Sequence, residues 1–400
     1  MRPTTLRPNH ATVSRAFATE AEGRRTMKRH QEATMQSQSP TLRELAIPFA
    51  IYLVICTLTL SRVPSITTDS INYINSIDSA CCWFHPHHLL YGPVAWAWVA
   101  ICKSLGIRID SDLLVSELNT IFGALSLCAF YSIVRCRLGS DRWTAVLVTG
   151  LPAFSWGLRY YSGCVEVYVI PLFCLLLSLF LLSAEHLDGR TFAFAGFLNE
   201  IAVALAELSV LFVVVVLFAA WYGHQRGDGR LTKSLTIYVS AALPTVALPY
   251  LWALSSLHRV TSFETALRWL TDYGHYSRFW SPLSASSVFK AGVGLGQAFI
   301  GSHFVFALPL FRSWVEIKLR EVYLINDIYL VRNLGAAVAR FLVALSIALC
   351  LIVLFSGGFS IFSWPELSSQ KQRLIYLSLV WVLAYGYSPS FTPRSTPSIG

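Results

Sequence analysis

The stretch 67–93, TTDSINYINSIDSACCWFHPHHLLYGP, gathers two carboxylates (Asp69, Asp78) and three imidazoles (His85, His87, His88). In a chain with only 13% charged residues, that density of titratable groups needs an explanation. A carboxylate is a ready general base for a hydroxyl proton, and Tyr73 falls about one helical turn after Asp69. His85-Pro86 opens the next apolar run. Proline suits the first turn of a helix, where its missing N–H costs nothing. The histidines therefore crowd a helix N-terminus, whose N–H groups favour an anion such as phosphate. A base beside a phosphate cradle suits attack on a phosphate-linked group at a membrane surface. His-Pro-His-His is not an established metal-ligand spacing, and neither CxxC nor a Cys/His zinc pattern occurs, so no metal or other cofactor is indicated. A divalent ion is the alternative use of the histidines.

Other ionisable residues stand out further along. The segment 156–171, WGLRYYSGCVEVYVIP, brings Arg159 and Tyr160 close to Glu166, which lies near a helix start where a negative charge is favoured. Glu200 and Glu207 fall in one apolar run, 192–221. Seven residues apart, they share a face if the run is a single helix. Ionisable groups at bilayer depth are costly and default to a functional or bundle-facing role, and Glu207 is the stronger of the two. Asp272, His275 and Arg278 are weaker candidates in a later loop.

The elements that must position these groups are transmembrane helices. The chain is 54% apolar, its mean hydropathy is +0.54, and its charged fraction is about half that of soluble domains. The long apolar runs are continuous rather than alternating, so helices and not a barrel satisfy the backbone in hydrocarbon. The sequence predicts an all-α, polytopic bundle of nine or ten helices, near 44–61, 89–105, 113–134, 143–158, 165–183, 192–221, 234–254, 286–310, 338–362 and 373–387. The net charge of +9 gathers at helix ends and in the tail, which suits anionic headgroups. No basic face with interleaved aromatics points to nucleic acid. Cys56, Cys102, Cys128, Cys174 and Cys350 lie in apolar runs and read as small hydrophobes.

Residues 1–42 read as a disordered basic cytoplasmic tail, with Met27 and Met35 as alternative starts. The helical domain then covers 43–387. The tail places the N-terminus in the cytoplasm and makes 62–88 and 256–285 outside loops. Within the second, Trp269, Tyr273, Tyr276, Phe279 and Trp280 beside Arg268 and Arg278 suit a helix in the headgroup plane, either a passive belt or a lid. One basic loop disagrees. Arg135, Arg137 and Arg142 fall outside if 89–105 spans, and a re-entrant or interfacial helix there is the alternative. Residues 388–400 form an irregular, proline-rich tail, expected to mark a truncated or frame-shifted end.

An Asp in the first outside loop, followed by His85-Pro86-His87-His88-Leu89-Leu90-Tyr91 at a helix entry, resembles the C-type (GT-C) polyprenyl-phosphate-dependent membrane glycosyltransferases. That superfamily includes the protein O-mannosyltransferases and the aminoarabinose transferase. Glu117-Leu118-Asn119 and the Glu166-Val167-Tyr168 segment are similar to its less characterised bacterial members. The resemblance covers about 45–310, with Asp78 the nearest candidate for the usual second acidic residue. It implies a GT-C-like fold with two larger outside loops in a bacterial inner membrane and a polyprenyl-phosphate-linked sugar donor. Asp69 would be the general base, with inversion at the anomeric carbon. Substrate would be held by Tyr73, His85, His87, His88, Arg159, Tyr160, Glu166 and Glu207. Besides the donor, membrane lipids are the expected partners. The alternatives are a transporter or flippase for a lipid-linked or anionic substrate, and an inactive truncated copy. The bundle-facing Glu200 and Glu207 suit transport, but no internal repeat supports it.

Overall fold

The computed structural model describes residues 40–59, 68–81, 83–256, 262–271 and 368–386, with scattered positions between 309 and 355. The expected helices over 286–310 and 338–362, both tails and the aromatic stretch after Thr271, including Asp272, His275 and Arg278, lie wholly or largely outside them. Among the described residues the chain is all-α, without a strand. The helices are α1 (Leu42–Thr59), α2 (Thr68–Asp78), α3 (Tyr91–Ser104), α4 (Ser111–Ser132), α5 (Arg142–Ala153), α6 (Trp156–Gly163), α7 (Val169–Leu182), α8 (Gly189–Leu205), α9 (Val213–Gln225), α10 (Leu231–Ser256), α11 (Phe263–Thr271) and α12 (Ser369–Gly386). Three stretches are long and apolar enough to cross a membrane: Ser111–Arg137, Glu207–Gln225 and Leu231–Ser256. The chain is a helical membrane protein.

Side-chain contacts set the direction of each helix. α1 runs antiparallel to α4: the Cys128 thiol meets Leu45 O at 3.4 Å, and Thr57 Oγ1 meets Glu117 Oε2 at 3.4 Å. We call the face where α1 begins proximal and the other distal. α3 does not return to the proximal face. Asn119 Nδ2 lies 3.4 Å from Tyr91 OH, Trp98 Nε1 donates to Leu114 O at 2.8 Å and Lys103 Nζ to Ser111 Oγ at 3.0 Å. It therefore climbs beside the first nine residues of α4 toward the distal end. The expected span over 89–105 is thus corrected to a helix confined to the distal half. Its 14 residues rise only about 21 Å, short of the roughly 30 Å of hydrocarbon. The chain folds tightly onto it, since a Cβ on Gly92 would stand 2.5 Å from Trp83 O.

The remaining helices alternate. Arg137 Nε donates to Phe180 O at 3.0 Å, which puts the end of α7 beside the basic 135–142 turn at the proximal face. α8 rises from there. The continuous helix expected over 192–221 is corrected, because Ala206 is extended (φ −155°, ψ 112°) and a 3₁₀ segment, Glu207–Phe212, leads into α9. α9 then descends until Gly223 lies against Leu187. Glu200 and Glu207 consequently sit on opposite sides of a reversal and share no helix face. α10 rises against α8, with Asn199 Nδ2 donating to Tyr238 OH at 2.9 Å. Gly196 allows the approach, as a Cβ there would meet Tyr238 O at 2.7 Å; close backbones and interhelical polar bonds are how helices associate in lipid. The run 143–158 also divides. Pro152 ends α5, and Ser155 Oγ caps α6 by accepting from Leu158 N at 3.3 Å. Leu175, Leu182, Phe192, Phe212 and Val216 fill the core between α7, α8 and α9.

Candidate functional site

Three interruptions of helical structure meet in the distal half: 83–90, 164–168 and the reversal at Ala206. Non-helical backbone at membrane depth survives only where protein or trapped water satisfies it. Here protein does so. Asn119, fully buried in α4, donates through Nδ2 to Cys164 O and Glu166 O, both at 2.8 Å. Ser70 of α2 donates to Val165 O at 2.8 Å. Leu90 N donates to Ala204 O at 2.8 Å, tying the end of α8 to the histidine turn. On its other side, Tyr250 OH of α10 donates to Pro86 O at 2.6 Å. Val165, Val167, Ile170, Leu205 and Ala206 pack beneath with Tyr91, Ala95 and Leu118.

The histidines occupy a single 3₁₀ turn, Pro86–His88, with His85 as its cap. His85 Nδ1 accepts from His87 N at 3.4 Å, and His87 Nδ1 is hydrogen-bonded to the Glu207 carboxylate. His88 lies beside the Leu205 backbone. The His85 and His88 rings stack 5.5 Å apart, and Tyr73 meets His88 edge-on at 6.2 Å and Tyr91 at 5.1 Å. Burial drives the His88 imidazole down to about 3, with His85 and His87 adding to the effect. Burial also lowers His85, followed by His87, while Asp69 and Glu207 oppose it. The Tyr73 hydroxyl is pushed far up, first by burial and then by the Glu166 and Asp69 carboxylates. Asp69 and Glu207 thus both act on one imidazole, and Asp69 and Glu166 on one phenol.

Of the residues singled out from the sequence, this junction brings together Asp69, Tyr73, His85, His87, His88, Glu166 and Glu207. Asp69 lies exposed in the first turn of α2. Glu166 is buried in the non-helical segment just before α7. Arg159 is buried in α6 and reaches α1, 3.4 Å from Cys56 O, and its charge acts on Glu117. Tyr160 packs edge-on against Tyr161 at 5.0 Å, which in turn meets Tyr168 at 4.9 Å. Among the described residues no three His, Cys, Asp or Glu side chains converge as metal ligands. Sequence reasoning missed Ser70 and Tyr250, and gave Asn119 no structural role. A buried amide in an apolar helix was the available signal for Asn119; Tyr250 carried none.

The distal face also holds α11, which touches the histidine turn and places Trp269 6.4 Å from Tyr250. Phe263, Leu267 and Leu270 point outward from α11, while Glu264 and Arg268 pair at 2.6 Å.

No family model matches the chain, and no curated protein matches it. Among solved structures, it is similar to the Archaeoglobus fulgidus oligosaccharyltransferase crystallised with zinc and sulfate, at a TM-score of 0.39 and 15% identity. The match covers 88% of this chain and 54% of that one, so the chain spans about half the length of the archaeal enzyme. A likeness of that size carries no argument about activity.

Proposed function

We propose that the chain is a glycosyltransferase-like membrane enzyme. It moves a sugar from a polyprenyl-phosphate donor to an acceptor hydroxyl at the distal face. The observation that carries the reading is the junction itself: a half-open set of carboxylates and imidazoles at the meeting point of three helix breaks. Asp69 takes the acceptor proton as that oxygen bonds to the anomeric carbon. The bond from carbon to phosphate oxygen breaks on the opposite side, and polyprenyl phosphate departs. His85, His87 and His88 face the phosphate, while Tyr73, Glu166 and the tyrosines of α6 line the sugar side. The distal face is the outer one and the N-terminus cytoplasmic, in a bacterial inner membrane. Arg135, Arg137, Arg142, Arg226, Arg230 and Lys233 support this orientation, as they sit in the proximal turns where the positive-inside rule wants them.

The test is purified protein in lipid, incubated with polyprenyl-phosphate sugars while released polyprenyl phosphate is followed. Asp69→Asn is expected to lower transfer about 10²–10⁴-fold, the usual contribution of a positioned base, with its unfolding temperature unchanged. Full activity in the variant would remove Asp69 from the mechanism. The broken α8–α9 hairpin favours one other reading, transport, since discontinuous helices serve substrate sites in transporters. Movement of the intact donor across vesicles without release of polyprenyl phosphate would establish transport instead.

A further inference from the structure

We infer that the basic corner where α1 begins, α4 ends and α5 begins binds an anionic glycerophospholipid of the proximal leaflet. Arg135 and Arg142 take its phosphate, and its acyl chains run along the Trp143, Val146 and Leu147 face of α5. The inference is independent of the transfer reading and concerns the opposite end of the bundle.

Side chains of three helices build the corner. Leu45 of α1, Tyr131 and Val134 of α4, and Ala145 and Val148 of α5 pack together. α4 passes into a π turn there, Ile133–Arg137, with Leu138 N donating to Ile133 O at 3.3 Å. Such turns recur at functional sites. Arg135 Nη1 donates to Ser140 O at 2.9 Å, which holds the guanidinium across the turn. Arg142 is the first residue of α5. It is exposed, with its guanidinium 5.6 Å from the Trp143 ring centroid. The charges of Arg135 and Arg142 both reach the buried Tyr131 phenol, so the two stand at one place.

Membrane topology explains basic residues anywhere on this face, but not where these are put. The first turn of a helix carries the positive end of the dipole and disfavours a cation, yet Arg142 stands there. α1 repeats the arrangement with Arg43 as its second residue. The local carboxylates are committed to helix caps. Glu44 Oε2 accepts from Thr41 N at 3.1 Å, and Asp141 accepts from Trp143 N, Thr144 N and the Thr144 hydroxyl. Among the described residues none of Arg43, Arg135 and Arg142 forms an ion pair. Arg137 differs, because Phe180 accounts for it: Nε donates to the Phe180 carbonyl, and the guanidinium lies 4.0 Å from the ring centroid.

The adjoining surface identifies the anion. Trp143 is 72% exposed, and Val146 and Leu147, three and four residues on, are exposed on the same helix face. α5 runs away from the proximal face, so these two lie about 4.5–6 Å deeper than Trp143. Cations, then an indole, then an apolar strip match a phosphate, a glycerol backbone and acyl chains in that order. A free phosphate ion would use the cations alone. Indoles settle at headgroup depth, and basic pockets between membrane helices bind anionic headgroups.

The test uses full-length protein in phosphatidylcholine nanodiscs carrying a minor share of photoactivatable phosphatidylglycerol, with adducts located by peptide mass spectrometry. Adducts are expected on 135–147, displaced by unlabelled phosphatidylglycerol and not by inorganic phosphate. A photoactivatable phosphatidylcholine of the same design should label that stretch far less. Arg142→Gln should lower the phosphatidylglycerol adducts about fivefold, and Arg135→Gln/Arg142→Gln about 25-fold, the scale for one and two arginines at a charged membrane surface. Arg142→Lys should retain most of them. Arg135→Gln also loosens the turn, so the exposed single variant Arg142→Gln decides. Adducts on 226–233, another basic loop of the proximal face, are the internal reference and should not change. Displacement by inorganic phosphate would make the corner a free-anion site and overturn the inference. Equal labelling by phosphatidylcholine, no adducts on 135–147, or a loss in Arg142→Gln no larger there than on 226–233 would overturn it too.

Discussion

The two ends of the bundle each hold a paired carboxylate, and they treat water differently. At the proximal end Arg373 of α12 is 2% exposed and the Asp228 side chain 10%, at 2.6 Å from each other. The guanidinium also donates to Ala184 O and lies 5.5 Å from the Tyr222 ring centroid. At the distal end the Glu207 side chain remains 53% exposed and His87 15%. A closed pair can only hold loops together, here those after α7 and α9, against the start of α12. In the half-open pair it is the Glu207 carboxylate that stays in reach of water. The contrast separates a pair sealed from water from one that is half-open in the same molecule, without reference to residue type.

The strongest way to break that contrast is to open the closed pair. Arg373→Met leaves the Asp228 carboxylate only the exposed His186 ring, 3.5 Å away, and should destabilise the protein by about 3–5 kcal/mol, as breaking buried pairs does. Adding Asp228→Leu should recover much of that. A loss under about 1 kcal/mol by unfolding in nanodiscs would erase the distinction. The next largest effect is at the distal junction: Asn119→Ala removes the donor to two buried carbonyls, at about 1–3 kcal/mol each. Transfer should fall with stability there, since the non-helical segment carries Glu166.

Acid sharpens the comparison. His88 is held at about 3 in the folded protein against 6.5 ordinarily, so below 6.5 the unfolded chain binds a proton that the native one refuses. Stability is therefore complete above 6.5 and falls as pH drops toward 3, at up to about 1.4 kcal/mol per pH unit. His88→Gln should flatten the slope of an unfolding series over that window. The smallest effect is Tyr250→Phe, which loses the bond to Pro86 O and about 1 kcal/mol. Transfer by Tyr250→Phe, measured at constant folded fraction, tests whether fixing the histidine turn matters beyond stability.

Much of this was legible in the chain. Apolar runs identified a helical membrane protein, and the Asp69–His88 stretch pointed to the junction. Two topological expectations were wrong in opposite senses. The run 89–105 was counted as a crossing, with a re-entrant or interfacial helix as the alternative, and a short helix that does not cross is what forms, whereas 192–221 was counted as one crossing and reverses at Ala206. The errors cancel, so 222–233 and the described helix Phe263–Thr271 fall on the opposite faces expected of their loops. Only the basic 135–142 turn registered the conflict, and it sits at the proximal face. The reversal at Ala206 was unreadable because NEIAVALAELSVLF contains no glycine or proline. What makes a break tolerable there is a hydrogen bond from Leu90, more than 100 residues earlier. The Glu207–His87 pair was hidden for the same reason: local pattern reports period and polarity, not partners distant in sequence.

The eight residue steps along α4 from Ser111 to Asn119 have a consequence of reach. At 1.5 Å per residue they set the junction about 12 Å below the distal tip of that helix. In the transfer proposed above, a hydrophobic donor would lie sideways in the leaflet with only its head entering, and an acceptor approaching from beyond the tip would have to be carried on a stem. An extended peptide covers that depth with about four residues at roughly 3.3–3.6 Å each. Slender, protruding acceptors would therefore fit, and a hydroxyl lying flush on a globular surface would stop at the rim.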